Sequence, residues 1–157
     1  MKARRKFRIL FVCHGNICRS PMAEFVMKDL VMKEDIADCF EIESAAVSSE
    51  ELGNSVYPPV KRLLAENGIS CEGKVARKMK ASDYDNFDFL IGMDSDNIRR
   101  MLSICGGDFA HKIRLLKSFV GNSRGEVADP WYTGDFTQTW LDVTEGCKGL
   151  LEFCQEQ

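Results

Sequence analysis

The sequence predicts an α/β fold of three layers, a central four-stranded parallel sheet with helices on both faces. Four short apolar runs, at 7–12, 40–47, 87–93 and 112–116, have the length and composition of strands. Segments with helical spacing of apolar residues lie between and after them, so strands and helices alternate. Crossovers of that kind are right-handed and give a parallel sheet covered on both sides.

The first run, FRILFV (7–12), ends in a Gly-containing turn at His14, Gly15 and Asn16. Met22, Phe25, Val26 and Leu30 then recur at helical spacing, with Pro21 suited to a first-turn position. FEIESAAV (40–47) predicts the second strand. A polar loop, SSEELGNS (48–55), leads into a helix carrying Val60, Leu63 and Leu64, which Asn67-Gly68 stops. After a mostly polar connection, FDFLIGM (87–93) predicts the third strand, and helix 95–105 follows with Ile98, Met101, Leu102 and Cys105 on one stripe. KIRLL (112–116) is a shorter fourth strand. A final helix from Thr137 places Val143, Cys147, Leu150, Leu151 and Cys154 on one face. With no repeat and no linker, residues 1–157 read as a single domain long enough to bury a core.

Composition narrows the function. The formal charge is −3, from 21 Lys and Arg against 24 Asp and Glu, without the basic excess of a nucleic-acid binder. The one local basic cluster, KARRKFR (2–8), reads as a solvated approach to the first strand. The apolar stretch behind it is too short for a signal-peptide core, and no run reaches membrane-spanning length. Seven cysteines, an odd number without paired CxxC spacing, predict neither a disulfide framework nor a metal site. Cys105, Cys147 and Cys154 lie in apolar patterns and read as core residues of a cytoplasmic protein.

Two stretches, CHGNICR (13–19) and CEGKVAR (71–77), share a Cys-x5-Arg spacing. Seven cysteines and ten arginines in 157 residues make about 0.4 such pairs by chance, so the spacing alone carries nothing. Context separates them. The second copy follows a helix-ending turn and starts no helix, so Cys71 reads as structural. The first copy joins the carboxyl end of a strand to a helix start, where open α/β sheets place ligands. Free N–H groups and the helix dipole make that junction an anion site. Gly15 and Asn16 tolerate the positive φ that turns amides inward. Arg19 adds a planar fork for two oxygens and, with the amides, would stabilise a thiolate at Cys13. The Ser20 hydroxyl could donate to that sulfur. His14, next in sequence to the nucleophile on a tight loop, reads as a rim residue rather than a base.

VCHGNICRSP (12–21) closely resembles the signature loop of the low-molecular-weight protein tyrosine phosphatases. The resemblance extends to SAAVS (44–48), FDFLIGMDSDN (87–97) and DPWYTGDF (129–136), hence to most of the chain. It implies hydrolysis of phosphotyrosine in proteins through a phosphocysteine intermediate, with no cofactor, Cys13 as nucleophile and Arg19 as phosphate clamp. His14, Gly15, Asn16, Ile17, Cys18, Arg19 and Ser20 would form the phosphate-binding loop. The residues alone leave Asp129 open between a turn aspartate and an acid; the resemblance assigns it the general acid and base role. It also makes Trp131 and Tyr132 an aromatic pocket wall, with Tyr132 at a position phosphorylated in some relatives. Cys18 reads either as a loop filler or, by resemblance, as a disulfide partner that protects Cys13 from oxidation. Asn16 is expected to hold the loop through its side chain, with Ser44 as a support.

The sequence also departs from the family pattern. Glu50 stands near the place where some relatives carry a large aromatic at the pocket rim, so their substrate preference does not transfer. Phosphoarginine phosphatases on this fold typically carry Thr where this chain has Ile17, which suits planar phosphotyrosine better. Thiol-dependent arsenate reduction would want a close relay pair that Cys71 and Cys105 do not form. A non-catalytic phosphate-binding module is the remaining alternative.

Overall fold

The computed structural model describes residues 5–121 and 125–157. Strand β1 (Phe7–Cys13) lies between β2 (Phe40–Ala46) and β3 (Phe89–Gly92), and β4 (Ile113–Leu115) borders β3, giving the order β2-β1-β3-β4. All three pairings are parallel, as alternating strands and helices require. The helices are α1 (Arg19–Lys33), α2 (Pro58–Glu66), α3 (Asp83–Asn86), α4 (Ser95–Cys105), α5 (Pro130–Thr133) and α6 (Phe136–Gln155).

Side-chain alternation along β1 assigns its two faces. Ile9, Phe11 and Cys13 join the cluster formed with Met22, Val26 and Met27 of α1, Val60 and Leu64 of α2, and Val143, Cys147 and Leu150 of α6. Leu10 and Val12 point the other way, against Tyr84 of α3, Met101 of α4 and Leu90 of β3. Both clusters are buried, so the central strand is apolar on both sides and reads in sequence as a continuous run. The chain runs from β1 to β2 on one side and on to β3 on the other. The carboxyl end of β1 is therefore the point where the strand order reverses, and the loop 13–18 leaves the sheet there.

Several boundaries differ from the sequence expectation. The third strand is shorter, because the Phe87 N–H closes α3 on the Asp83 carbonyl and Asp88 is taken by Arg8 of β1. Leu116 leaves the fourth strand and opens a 3-10 turn, Leu116–Phe119. The polar connection before the third strand contains α3, with Asp83 and Tyr84 buried. On α4 the inward residues are Asn97 and Met101, whereas Leu102 is exposed and Cys105 only half-buried, so the expected stripe is narrower. Arg8 of the basic cluster bridges Asp88 at 3.3 Å; residues 2–4 of that cluster lie outside the described residues.

α6 docks closely on the turn at 116–119 through glycine. A methyl group at Gly149 would run into the Phe119 carbonyl oxygen, and one at Gly146 into the Leu116 side chain. Gly149→Ala is expected to cost about 2–3 kcal/mol through overpacking. That corresponds to roughly 4–12 °C in Tm for a chain of this size, read by thermal melting. An unchanged Tm would mean that α6 can shift away from the turn without loss.

Candidate active site

The loop after β1 turns its carbonyls outward and has them met. The Cys13 carbonyl accepts from the Val47 N–H at 3.0 Å, His14 from Ser48 at 3.1 Å, and Ile17 from Tyr57 at 2.9 Å. In a planar trans peptide the next N–H points opposite to the carbonyl, so those of His14, Gly15 and Cys18 face the concave side. Asn16, at φ 59°, has the left-handed conformation that lets the loop close. Its N–H points at the Cys13 sulfur, 3.3 Å away. The loop ends in the first turn of α1, whose free N–H groups add to the anion site.

Behind the loop lies a buried polar network. The Asn16 side-chain amide donates to Ser20 Oγ at 2.7 Å and to Ser44 Oγ at 2.9 Å, while its oxygen accepts the Arg77 N–H at 3.2 Å. The Ser44 hydroxyl donates to the buried carboxylate of Glu24 at 2.5 Å, which also pairs with Lys28 and Lys74. Ser20 Oγ accepts from Asn16 and has one hydrogen to share between Cys13 Sγ, 3.0 Å away, and the Ala45 carbonyl, 3.4 Å away. Burial lowers the pKa of Lys74, partly opposed by Glu24 beside it.

Arg19 is buried, its side chain 2% exposed, and a buried cation needs partners. Its Nη1 donates to Asp94 Oδ2 at 2.6 Å and to the Val127 carbonyl at 3.0 Å. Its Nη2 stands 3.5 Å from Asp129 Oδ2. Burial works against its charge, but Cys13, Asp94 and Asp129 outweigh that, and its pKa lies above the ordinary arginine value. Asp94 is fixed in turn as the N-cap of α4, in a reciprocal capping box with Asn97. Asp129 caps α5, accepting the Trp131 N–H on Oδ1 at 3.0 Å. The segment after Asp129 is a short helix, started by Pro130 and ended by Gly134.

An open pocket of ≈ 550 Å³ joins these groups. Cys13, Gly15, Ile17, Cys18, Arg19 and Asp129 line it together with Trp131 and Tyr132. His14 and Glu50 meet at the rim, Nε2 to Oε2, 3.0 Å apart. The His14 ring is thus paired with a carboxylate of the neighbouring loop. Burial, reinforced by Cys13, pushes the Cys18 thiol up to about 12, so it stays neutral in ordinary buffers. All the sequence-predicted site residues therefore converge, with Asn16 and Ser20 behind the sulfur rather than in the pocket lining. Residues that sequence reasoning missed are Asp94, Glu24, Lys74, Arg77 and the rim carboxylate of Glu51. For Asp94 a signal existed: an Asp followed three residues later by Asn ahead of a helical stripe marks an N-cap.

The second Cys-x5-Arg stretch has a structural place. Cys71 packs in the core, and the Arg77 guanidinium pairs with Asp83 at 3.1 Å and Glu43 at 3.3 Å. Its backbone supports the first copy through Asn16.

This chain is an α/β protein with a loop of inward-facing amides wrapped around a thiol at the switch point of its sheet. A family model described as low molecular weight phosphotyrosine protein phosphatase matches residues 8–157. The low molecular weight protein-tyrosine-phosphatase YfkJ of Bacillus subtilis is 37% identical over 150 residues, covering 95% of this chain and 96% of that protein. Its crystal structure superposes with a TM-score of 0.95 over 99% of this chain and 98% of that one, at 35% identity. SP-PTP, the low molecular weight protein tyrosine phosphatase of Streptococcus pyogenes, superposes with a TM-score of 0.83 at 39% identity, over 93% and 91% of the two chains. The Drosophila arginine phosphatase DARP gives 0.83 at 29% identity, over 92% and 96%. The chain belongs to the low molecular weight phosphotyrosine protein phosphatase family and is a phosphatase. Among the described residues no helix is long and apolar enough to cross a membrane.

Asp94 both caps α4 and holds Arg19, so Asp94→Ala is expected to lower stability by roughly 2–4 kcal/mol, including ~1 kcal/mol for the cap. Urea denaturation measures this, and the stabilisation by added inorganic phosphate should shrink with it. A variant equally stable and equally protected by phosphate would show that Val127 and Asp129 suffice to place Arg19.

Proposed function

We propose that this chain hydrolyses phosphotyrosine in proteins, as one catalytic domain, with Cys13 as nucleophile, Arg19 as phosphate clamp and Asp129 as general acid and base. The carrying observation is the Cys13 sulfur within reach of both the Asn16 N–H and the Ser20 hydroxyl, with Arg19 between it and Asp129. The loop amides and the Arg19 fork bind the phosphoryl oxygens. The Cys13 thiolate attacks phosphorus while the Asp129 carboxyl gives its proton to the departing tyrosine oxygen. The Asp129 carboxylate then takes a proton from water, which attacks the phosphocysteine and releases phosphate and the thiolate. The Ser20 hydroxyl supports the sulfur as it leaves.

Trp131, 55% exposed, and Tyr132, 85% exposed, stand where a substrate ring would enter and favour an aryl phosphate. A phosphoarginine substrate is suggested by the likeness to the Drosophila enzyme. Ile17 in the pocket and the two aromatic rings support the tyrosine reading instead.

Purified protein is expected to hydrolyse p-nitrophenyl phosphate and phosphotyrosine peptides in preference to phosphoarginine. Cys13→Ser should abolish turnover, whereas Cys71→Ser should not. Asp129→Ala should slow turnover of phosphotyrosine by roughly 10²–10⁴ while vanadate still binds. Activity surviving Cys13→Ser would sink the mechanism, and an unchanged rate in Asp129→Ala would remove that residue from its role.

The free, buried Cys18 in the same loop supports reversible redox control. Peroxide oxidises Cys13 to the sulfenic acid, and attack by Cys18 expels water to form a disulfide that thiols reduce. Mild peroxide should therefore inactivate the enzyme reversibly, and Cys18→Ser should recover far less with dithiothreitol. Equal recovery of the two proteins excludes the protective disulfide.

A further inference from the structure

Tyr57 lines no part of the pocket, yet it touches both halves of the site. It precedes Pro58, the first residue of α2, and its backbone N–H donates to the Ile17 carbonyl of the phosphate loop at 2.9 Å. Its ring lies 5.0 Å from that of Trp131, tilted by 55°, and 6.0 Å from that of Phe136 at 23°. Trp131 belongs to α5 and Phe136 opens α6, so the Tyr57 ring touches both sides of the corner that carries Asp129.

That corner is otherwise held by the Arg19–Asp129 pair, the buried Pro130 and the Thr139 hydroxyl on the Ala128 carbonyl. α5 is four residues long, too short to be stable by itself, and only Pro130 of the four is buried. Trp131 and Tyr132 are largely exposed. The Asp129 carboxylate is held on Oδ1 by the Trp131 N–H of the same helix and faces Arg19 on Oδ2, so what fixes Trp131 bears directly on Asp129.

We propose that Tyr57 is a positioning residue that clamps the helix of the acid to the loop of the nucleophile; the inference rests on the phosphatase reading above. Its main chain is tied to the loop that holds Cys13, and its ring to the helix that Asp129 caps. Removing the ring leaves the thiol, the amides and Arg19 in place but lets the acid drift. In the first step, phosphoryl transfer to Cys13, the loss therefore falls on substrates whose leaving group needs a proton.

The test compares Y57L and Y57F with wild type on phosphotyrosine and on 2,4-dinitrophenyl phosphate, whose leaving group departs without protonation. For Y57L, kcat/KM on phosphotyrosine, which reports phosphoryl transfer to Cys13 and not the later hydrolysis shared by both substrates, should fall roughly three- to ten-fold, the size of one aromatic contact. The kcat/KM of the dinitrophenyl ester should change by less than about two-fold. Y57F, which keeps the ring, should match wild type on both. Equal losses on both substrates, or none on either, would overturn the proposal. A second measurement needs no change at position 57: the chain has two tryptophans, so in a W140F background emission reports Trp131 alone. Packed on Tyr57, Trp131 should be quenched by acrylamide clearly more slowly than free tryptophan, and an equal rate would overturn the clamp. A wild-type protein without phosphatase activity sinks the reading of the site, while the quenching result still judges the contact. Active proteins with the same leaving-group response in wild type and Y57L sink only the role of Tyr57.

Discussion

The carboxamide of Asn16 is the interaction on which the site depends. One side chain in the left-handed conformation spends its two hydrogens on Ser20 and Ser44 and accepts the Arg77 N–H on its oxygen. It joins the phosphate loop to the first turn of α1, to β2 and to the 71–77 connection. The direction of these bonds matters as much as their number. Ser44 donates to Glu24, the amide donates to both serines, and the Ser20 hydroxyl is left facing the sulfur and the Ala45 carbonyl. A buried network satisfied in one sense holds one geometry.

The second constraint is the charge of Arg19. A guanidinium this buried is held by an aspartate that a helix cap has already fixed, by a main-chain carbonyl and by Asp129. These partners come from the ends of elements along the carboxyl edge of the sheet, where the strand order reverses. The sheet supplies the placement and the caps supply the orientation.

The architecture was legible because each strand is a short apolar run and each long helix shows its period. Strand limits were less so, since Phe87 and Leu116 are apolar enough to read as strand while their hydrogen bonds belong to neighbouring turns. In the site, the loop and Asp129 were legible through local context and family resemblance, and Cys18 through its place between Cys13 and Arg19. Asp94, Glu24, Lys74 and Tyr57 were not. Glu24 and Lys74 look like ordinary surface charges, and Tyr57 like a residue at a helix start. Their roles come from partners distant in sequence, as with Asp94 and Arg19 or Tyr57 and Trp131. The Cys-x5-Arg spacing at 71–77 misleads as a motif, yet its main chain is one of the loop's supports.

The order of these parts along the chain has a consequence for synthesis. The Cys13 loop emerges first, its supports at Ser44 and Arg77 follow, then the Arg19 anchors at Asp94 and Val127, and Asp129 comes after all of them. α6, which covers the α1 face that packs behind Cys13, follows even Asp129. A growing polypeptide therefore carries Cys13 long before it carries the groups that surround it in the folded chain. The pocket is complete only when the helix farthest from the loop in sequence has packed on α1.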